Sequence, residues 1–253
     1  MQLIDTHCHL DLEDFDTDRD QVLSRCQRSG IEKIIVPAIE SSSWQNLLGI
    51  CEQHNALFPA LGLHPVFIDK HNDDDIIKLE QQVNIHRPVA VGEIGLDFFI
   101  KNTDKARQIN IFEKQLAIAE EKKLPVILHV RKAHDEVLKL LRDKKIPGGT
   151  CHAFSGSEQQ ARQYIDMGFK LGFGGTLTYP NAHRIHALAK ALPLDYIVLE
   201  TDAPDMSGHT HKGERNSPEY LPDALNALSV IKSIDIELVA EQTTKNAEKL
   251  FQL

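Results

Sequence analysis

The sequence predicts an α/β fold: a (β/α)8 barrel of the TIM type, built as a single domain over residues 1–253. Three observations carry that expectation. Short β-rich runs alternate with segments of helical periodicity, the pattern of parallel strands joined by helical crossovers. The runs number eight in about 250 residues, the size of such a barrel. Polar residues follow the apolar runs at many strand ends and do not gather at one switch point. A doubly wound open sheet is the alternative, and no G-x-G-x-x-G opens a helix after the first strand to support it.

In chain order the expected strands are Gln2–Thr6, Lys33–Pro37, Phe58–Gly62, Val89–Glu93, Pro125–His129, Gly149–His152, Lys170–Gly174 and Tyr196–Glu200. Helical spacing of apolar residues marks Asp18–Ser29, Ala106–Lys122, Ala133–Lys144 and Glu158–Met167. The polar cluster "HNDDD" at 71–75 reads as a loop running into a helix start.

Composition narrows the function. Hydrophobic residues make up 42% of the chain, enough for a large core, and no apolar run approaches the roughly 20 residues that cross a bilayer. The N-terminus has no signal-peptide pattern, and Cys8, Cys26, Cys51 and Cys151 form no CxxC, so a reducing, cytoplasmic setting with free thiols is expected. A net charge of −9 argues against a wide basic face for duplex nucleic acid. It leaves room for a small site where cations and one or two arginines meet a phosphate.

The active site of a barrel lies at the carboxyl ends of its strands. There the sequence offers His7 and His9 in "LIDTHCHLD", His64 in "GLHP", Glu93 in "VGEIGLD", His129 and Arg131 in "ILHVR", His152 in "CHAFSG", and Glu200 and Asp202 in "LETDAP". Period-two alternation puts His7 and His9 on one face and turns Cys8 away from it. Cys151 likewise faces away from His152. Glu200 shares a face with Asp202, one pleat deeper.

Burying that many imidazoles and carboxylates without partners is expensive. His7, His9, His129, His152 and Asp202, with Glu93 among them, exceed the needs of one tetrahedral ion. They suit two divalent cations about 3.5–4 Å apart, bridged by a carboxylate and water. Zinc, manganese and magnesium all suit such mixed ligands.

The chain resembles the TatD-type metal-dependent hydrolases, within the amidohydrolase-like barrels. The resemblance runs end to end and rests on "DTHCHLD", "GLHP", "GEIGLD", "HVR", "HAFSG", "ETDAP" and "RNSP", in that order. It implies a divalent-metal deoxyribonuclease or related phosphodiesterase. It further implies one cation on His7, His9 and Asp202, a second on His129 and His152, and Glu93 bridging. Asp202 or Glu93 would orient and deprotonate the attacking water. His64 and Arg131 would contact phosphate, Asp97 would fix ligand geometry, and Arg215 and Asn216 would shape the substrate pocket. Ser217 stands where the family often has an acidic residue.

The expected substrate is a nucleic acid or other phosphodiester, as DNA ends, single strands or small nucleotide fragments, with no membrane and no obligate protein partner. Two other functions fit the same residues: hydrolysis of a C–N, ester or lactone bond, and a non-catalytic, metal-stabilised binding protein. "HTH" at 209–211 repeats the opening spacing in a Gly-rich loop and reads as pocket mouth. His183 and His186 read as an exposed helix face, and Trp44 as packing.

Overall fold

The computed structural model describes residues 1–253. Eight parallel strands follow one another round a barrel in chain order, β1 to β8: Leu3–Asp5, Ile31–Pro37, Leu57–Leu61, Ala90–Asp97, Val126–Arg131, Gly149–Cys151, Phe169–Phe173 and Ile197–Leu199. Each expected strand is present. The largest difference is at the end of β4, which runs four residues past Glu93. Gly95, within this extension, sits at a close approach of two strands. Its φ is +142°, and a Cβ would stand 2.0 Å from the carbonyl oxygen of His129 on β5.

The strands are joined by helices α1 (Arg19–Arg28), α2 (Trp44–Gln53), α3 (Asp73–His86), α4 (Lys105–Lys122), α5 (His134–Leu141), α6 (Glu158–Asp166) and α7 (His183–Ala191). Two more follow β8: α8 (Leu221–Lys232) and α9 (Ile236–Phe251). The cluster at 71–75 starts α3 through a capping box, with Asn72 accepting from Asp75 N and Asp75 accepting from Asn72 N. None of the helices is long and apolar enough to cross a membrane.

Alternation along each strand divides the core in two. Ile34 and Val36 join the large cluster that packs the strands against the helices. Ile35 points the other way and meets Ala60, Ala90 and Ile127 from the next three strands. Leu250 and Phe251, at the end of α9, pack on that inner cluster at the amino-terminal end of the barrel. The opposite end, where the strands finish, is left to polar side chains.

The barrel closes between β8 and β1 with few backbone bonds. Thr6 N donates to Leu199 O (3.0 Å) and Asp202 N to His7 O (2.8 Å). The Asp5 side chain reinforces the seam, accepting from Thr201 N at 3.0 Å and Thr201 Oγ1 at 2.5 Å. Asp5 is fully buried, and desolvation raises its carboxyl to about 8 despite those bonds.

Candidate metal centre

Past Asp5 the first strand stays extended, with Cys8 N donating to Ile35 O at 3.1 Å. Cys8 is therefore buried in the strand–helix core, and His7 and His9 face the barrel axis. Their Nε2 atoms are 3.2 Å apart. His9 Nδ1 lies 3.0 Å from Pro37 O, which fixes its proton on Nδ1 and leaves Nε2 free to accept or ligate.

Glu93 sits at the centre. Its Oε2 is 3.1 Å from His7 Nε2 and 3.4 Å from His9 Nε2. Its Oε1 is 3.2 Å from His64 Nε2, 3.1 Å from His129 Nδ1 and 3.9 Å from His152 Nε2. The two oxygens thus face different sets of imidazoles. Asp202 divides the same way, with Oδ1 at 3.5 and 3.7 Å from His7 and His9, and Oδ2 at 3.9 Å from His152. Its backbone holds a left-handed conformation, φ +60°, which Asp tolerates better than most residues.

The outer side chains are themselves held. Asp97 Oδ2 is 3.0 Å from His129 Nε2, and its Oδ1 accepts from Phe99 N at 2.9 Å. Glu200 Oε1 accepts from Ala153 N (2.6 Å) and faces His152 Nδ1 at 3.1 Å. His64 Nδ1 accepts from Val66 N at 3.1 Å, so a neutral ring carries its proton on Nε2, the edge turned to Glu93.

The electrostatics are those of a crowded, largely buried site. Burial works against ionised Glu93, yet His64, His7, His129 and His152 hold its carboxyl well below the usual range. Burial pushes Asp202 up to about 6, against the pull of His152 and His9. It also pushes His64 down to about 4 and His7 well down. His9 and His152 rise to about 9 and 10, because neighbouring carboxylates overcome desolvation. Imidazolium at several touching rings is a poor way to balance two buried carboxylates.

Divalent cations balance them better, and the donor atoms fit that use. Three groups each bring their ligand atoms within 4.8 Å of one another: His7, His9 and Asp202; His7, Glu93 and His152; and His64, Glu93 and His129. The third group is weakened as a ligand set by His64. With Nδ1 engaged by Val66 N, its Nε2 is a donor rather than a lone pair.

A cavity of about 680 Å³ opens above these groups. His9, His64, Glu93, His129, His152 and Asp202 form its floor, and Arg131 is on its wall. The Arg131 guanidinium lies 3.8 Å over the Phe99 ring. Leu12, Ile39, Phe67, Phe154, Ile185 and Met206 make the rest of the wall largely apolar.

Two expected pocket residues are elsewhere. Arg215 is clasped by Asp18, with both guanidinium nitrogens 2.8 Å from its carboxylate oxygens, and its guanidinium carbon is 4.5 Å over Phe15. Asn216 is buried, and its Nδ2 donates to Thr201 O and Asp205 O at 2.8 and 2.7 Å. Both brace the loop after β8, and neither lines the cavity. The reading of "HTH" as pocket mouth is also corrected: His211 stacks on Tyr220 at 3.5 Å, away from the cavity lining. His186 is half-buried, bonded to Leu177 O, while His183 is exposed as expected. Trp44 packs, with Nε1 donating to Gly62 O at 3.1 Å.

Asp5 was missed in the sequence, although it shares the period-two parity of His7 and His9 and could have been read from it. Thr176, Asp205 and Met206 on the cavity wall had no sequence signal.

Buried imidazoles and carboxylates at the mouth of a parallel barrel define a metal-dependent hydrolase. Residues 4–252 match the family described as TatD related DNase. The chain belongs to the TatD family. It is 39% identical to the uncharacterized metal-dependent hydrolase YjjV of Escherichia coli K12, over 100% of this chain and 98% of that protein. The crystal structure of that TatD homolog superposes with a TM-score of 0.96 at 38% identity, covering 99% of this chain and 98% of that one. The uncharacterized metal-dependent hydrolase YabD of Bacillus subtilis is 33% identical, over 99% of each chain.

Proposed function

We propose that this hydrolase cleaves phosphodiesters, in DNA ends, single strands or small nucleotide fragments, with two divalent cations. The observation that carries the reading is the division of Glu93, whose two oxygens face separate sets of imidazoles 3.1–3.9 Å away. His7, His9 and Asp202 would hold one cation, His129 and His152 the other, with Glu93 between. Such a pair, when bound, makes water acidic near neutral pH and offsets the charge that grows on phosphoryl oxygens.

The chain's own groups do the rest. Asp202, whose Oδ1 faces His7 and His9 and whose Oδ2 faces His152 at the floor of the cavity, would orient the attacking water and take its proton. His64 carries its proton on Nε2, its tautomer set by Val66 N, and this donor, on Glu93 Oε1 in the cation-free site, would turn to a substrate oxygen once cations engage the carboxylate. Arg131 offers a planar fork to a non-bridging phosphate oxygen, and its stacking on Phe99 limits its motion. Phe154, Ile185 and Leu12 keep bulk water from the floor and strengthen each of these interactions.

The test is a comparison of turnover on a chromogenic phosphodiester, short single-stranded DNA, intact duplex and a lactone panel, each with and without added zinc, manganese or magnesium. Metal-dependent cleavage of the diester and the single strand is expected. Turnover confined to lactones would overturn the reading, as would no consumption of any substrate despite metal-dependent thermal stability.

A further inference from the structure

Helix α4 carries two buried glutamines that the chemistry above does not use. Gln108 and Gln115 are each 1% exposed and lie on the apolar stripe with Ile111, Phe112 and Leu116. Seven residues apart, they face the same way, about 10 Å from each other along the helix axis. Each closes a two-bond clasp on the backbone of one residue. Gln115 Oε1 accepts from Leu63 N at 2.7 Å and its Nε2 donates to Leu63 O at 3.1 Å. Gln108 Oε1 accepts from Asp97 N at 2.9 Å and its Nε2 donates to Asp97 O at 3.2 Å. The backbone partners dictate both amide orientations. A third bond, Gln108 Nε2 to Thr103 Oγ1 at 2.8 Å, uses the remaining donor.

The clasped residues are the ones that lead into the site. Leu63 precedes His64, whose Nε2 is 3.2 Å from Glu93. Asp97 is the residue whose carboxylate is 3.0 Å from His129 Nε2. Asp97 is paired with Arg131 of β5 on one edge, but β3 ends at Leu61 and its pairing with β4 stops at Val91, so the glutamines take up backbone groups that this side of the sheet leaves unpaired. We infer that α4 is the spacer that sets His64 against His129: Gln115 and Gln108 are positioning residues, one for the hydrogen-bond donor and one for the imidazole of the second cation. The inference rests on the phosphodiester reading only for what His64 and His129 do once placed.

A spacer has a divided signature that a merely structural glutamine lacks. Gln115→Met keeps the volume and removes both bonds at Leu63. It should lower kcat/KM by about 10-fold while cation affinity stays within about two-fold. Gln108→Met should weaken the cation on His129 and His152, and so one of the two binding steps, by about 10- to 100-fold, measured by calorimetric titration with Mn²⁺. In the cation-free protein, ring-nitrogen NMR should show the His64 resonances moved by the first variant and the His129 resonances by the second. If either Met variant does not fold, Gln115→Asn and Gln108→Asn keep a neutral amide, shorten its reach by one methylene, and should give smaller effects of the same division. Equal losses of stability, cation affinity and turnover in both variants, or unmoved imidazole resonances, would overturn the inference. The NMR and calorimetric arms need no substrate, so a wild-type protein inert on phosphodiesters would refute the proposed substrate and still leave this test decisive.

Discussion

Glu200 sits directly beneath His152, its Oε1 3.1 Å from Nδ1, in space that exists because residue 172 has no side chain. A Cβ at Gly172 would stand 2.1 Å from Glu200 Oε2. The carboxylate fixes the ring so that Nε2 points at the cavity. Gly172→Ala should displace the carboxylate and weaken cation binding by about 10- to 100-fold. Glu200→Gln should do so less, because an amide oxygen can still accept from His152 and Ala153. Calorimetric titration of the cation-free protein would check both, and unchanged affinity in Gly172→Ala would refute this role.

Asp202→Asn keeps the size of the side chain and removes its charge. Turnover should fall below about one-thousandth of wild type, with the barrel intact by circular dichroism. Chelation should also abolish turnover and lower the thermal midpoint, since ligands that bind only the folded state stabilise it. A variant that retains activity would show that another group takes the proton.

Arg131 and Arg215 should separate cleanly. Arg131→Ala should raise KM by about 10-fold or more, with little change in melting temperature. Arg215→Ala should leave KM alone and cost about 1 kcal/mol, from the lost clasp on Asp18 and the packing on Phe15. Denaturant melts alongside Michaelis–Menten curves would decide. A KM effect at Arg215 would restore it to the substrate pocket.

The two arginines also show how far the sequence could be read. The imidazole and carboxylate set follows from period-two alternation at strand ends, because a buried strand leaves its side chains only two directions. Arg131 inherits that logic from β5. Arg215 lies in a loop, and its partner Asp18 is 197 residues away, so nothing local tells a guanidinium aimed at substrate from one aimed at a neighbouring helix. Gln108 and Gln115 were legible only in part. Their places on the apolar stripe of α4 mark them as odd, and the backbone they clasp appears only once β3 and β4 are in place.

His134 gives a pH dependence away from the metal centre. It is 9% exposed, its Nε2 has no partner, and burial lowers its pKa from 6.5 to about 4. The folded value lies below the unfolded one. The contribution to stability is therefore present above pH 6.5 and lost as the pH falls toward 4, because the unfolded chain takes up a proton that the folded one refuses. The full span is on the order of 3 kcal/mol. Urea midpoints between pH 7 and 4 should fall less steeply in His134→Phe than in wild type; parallel curves would refute the assignment.

The seam between β8 and β1 has a consequence for biosynthesis. Asp202 donates its backbone N–H to His7 O, and Asp5 ties itself to Thr201, so the floor is finished only when the first and last strands meet. A nascent chain stalled before residue 200 already holds His7, His9, Glu93, His129 and His152, and lacks the carboxylate that completes them. Closure of the barrel and completion of the side-chain set are therefore a single event that waits for the last strand and the turn after it.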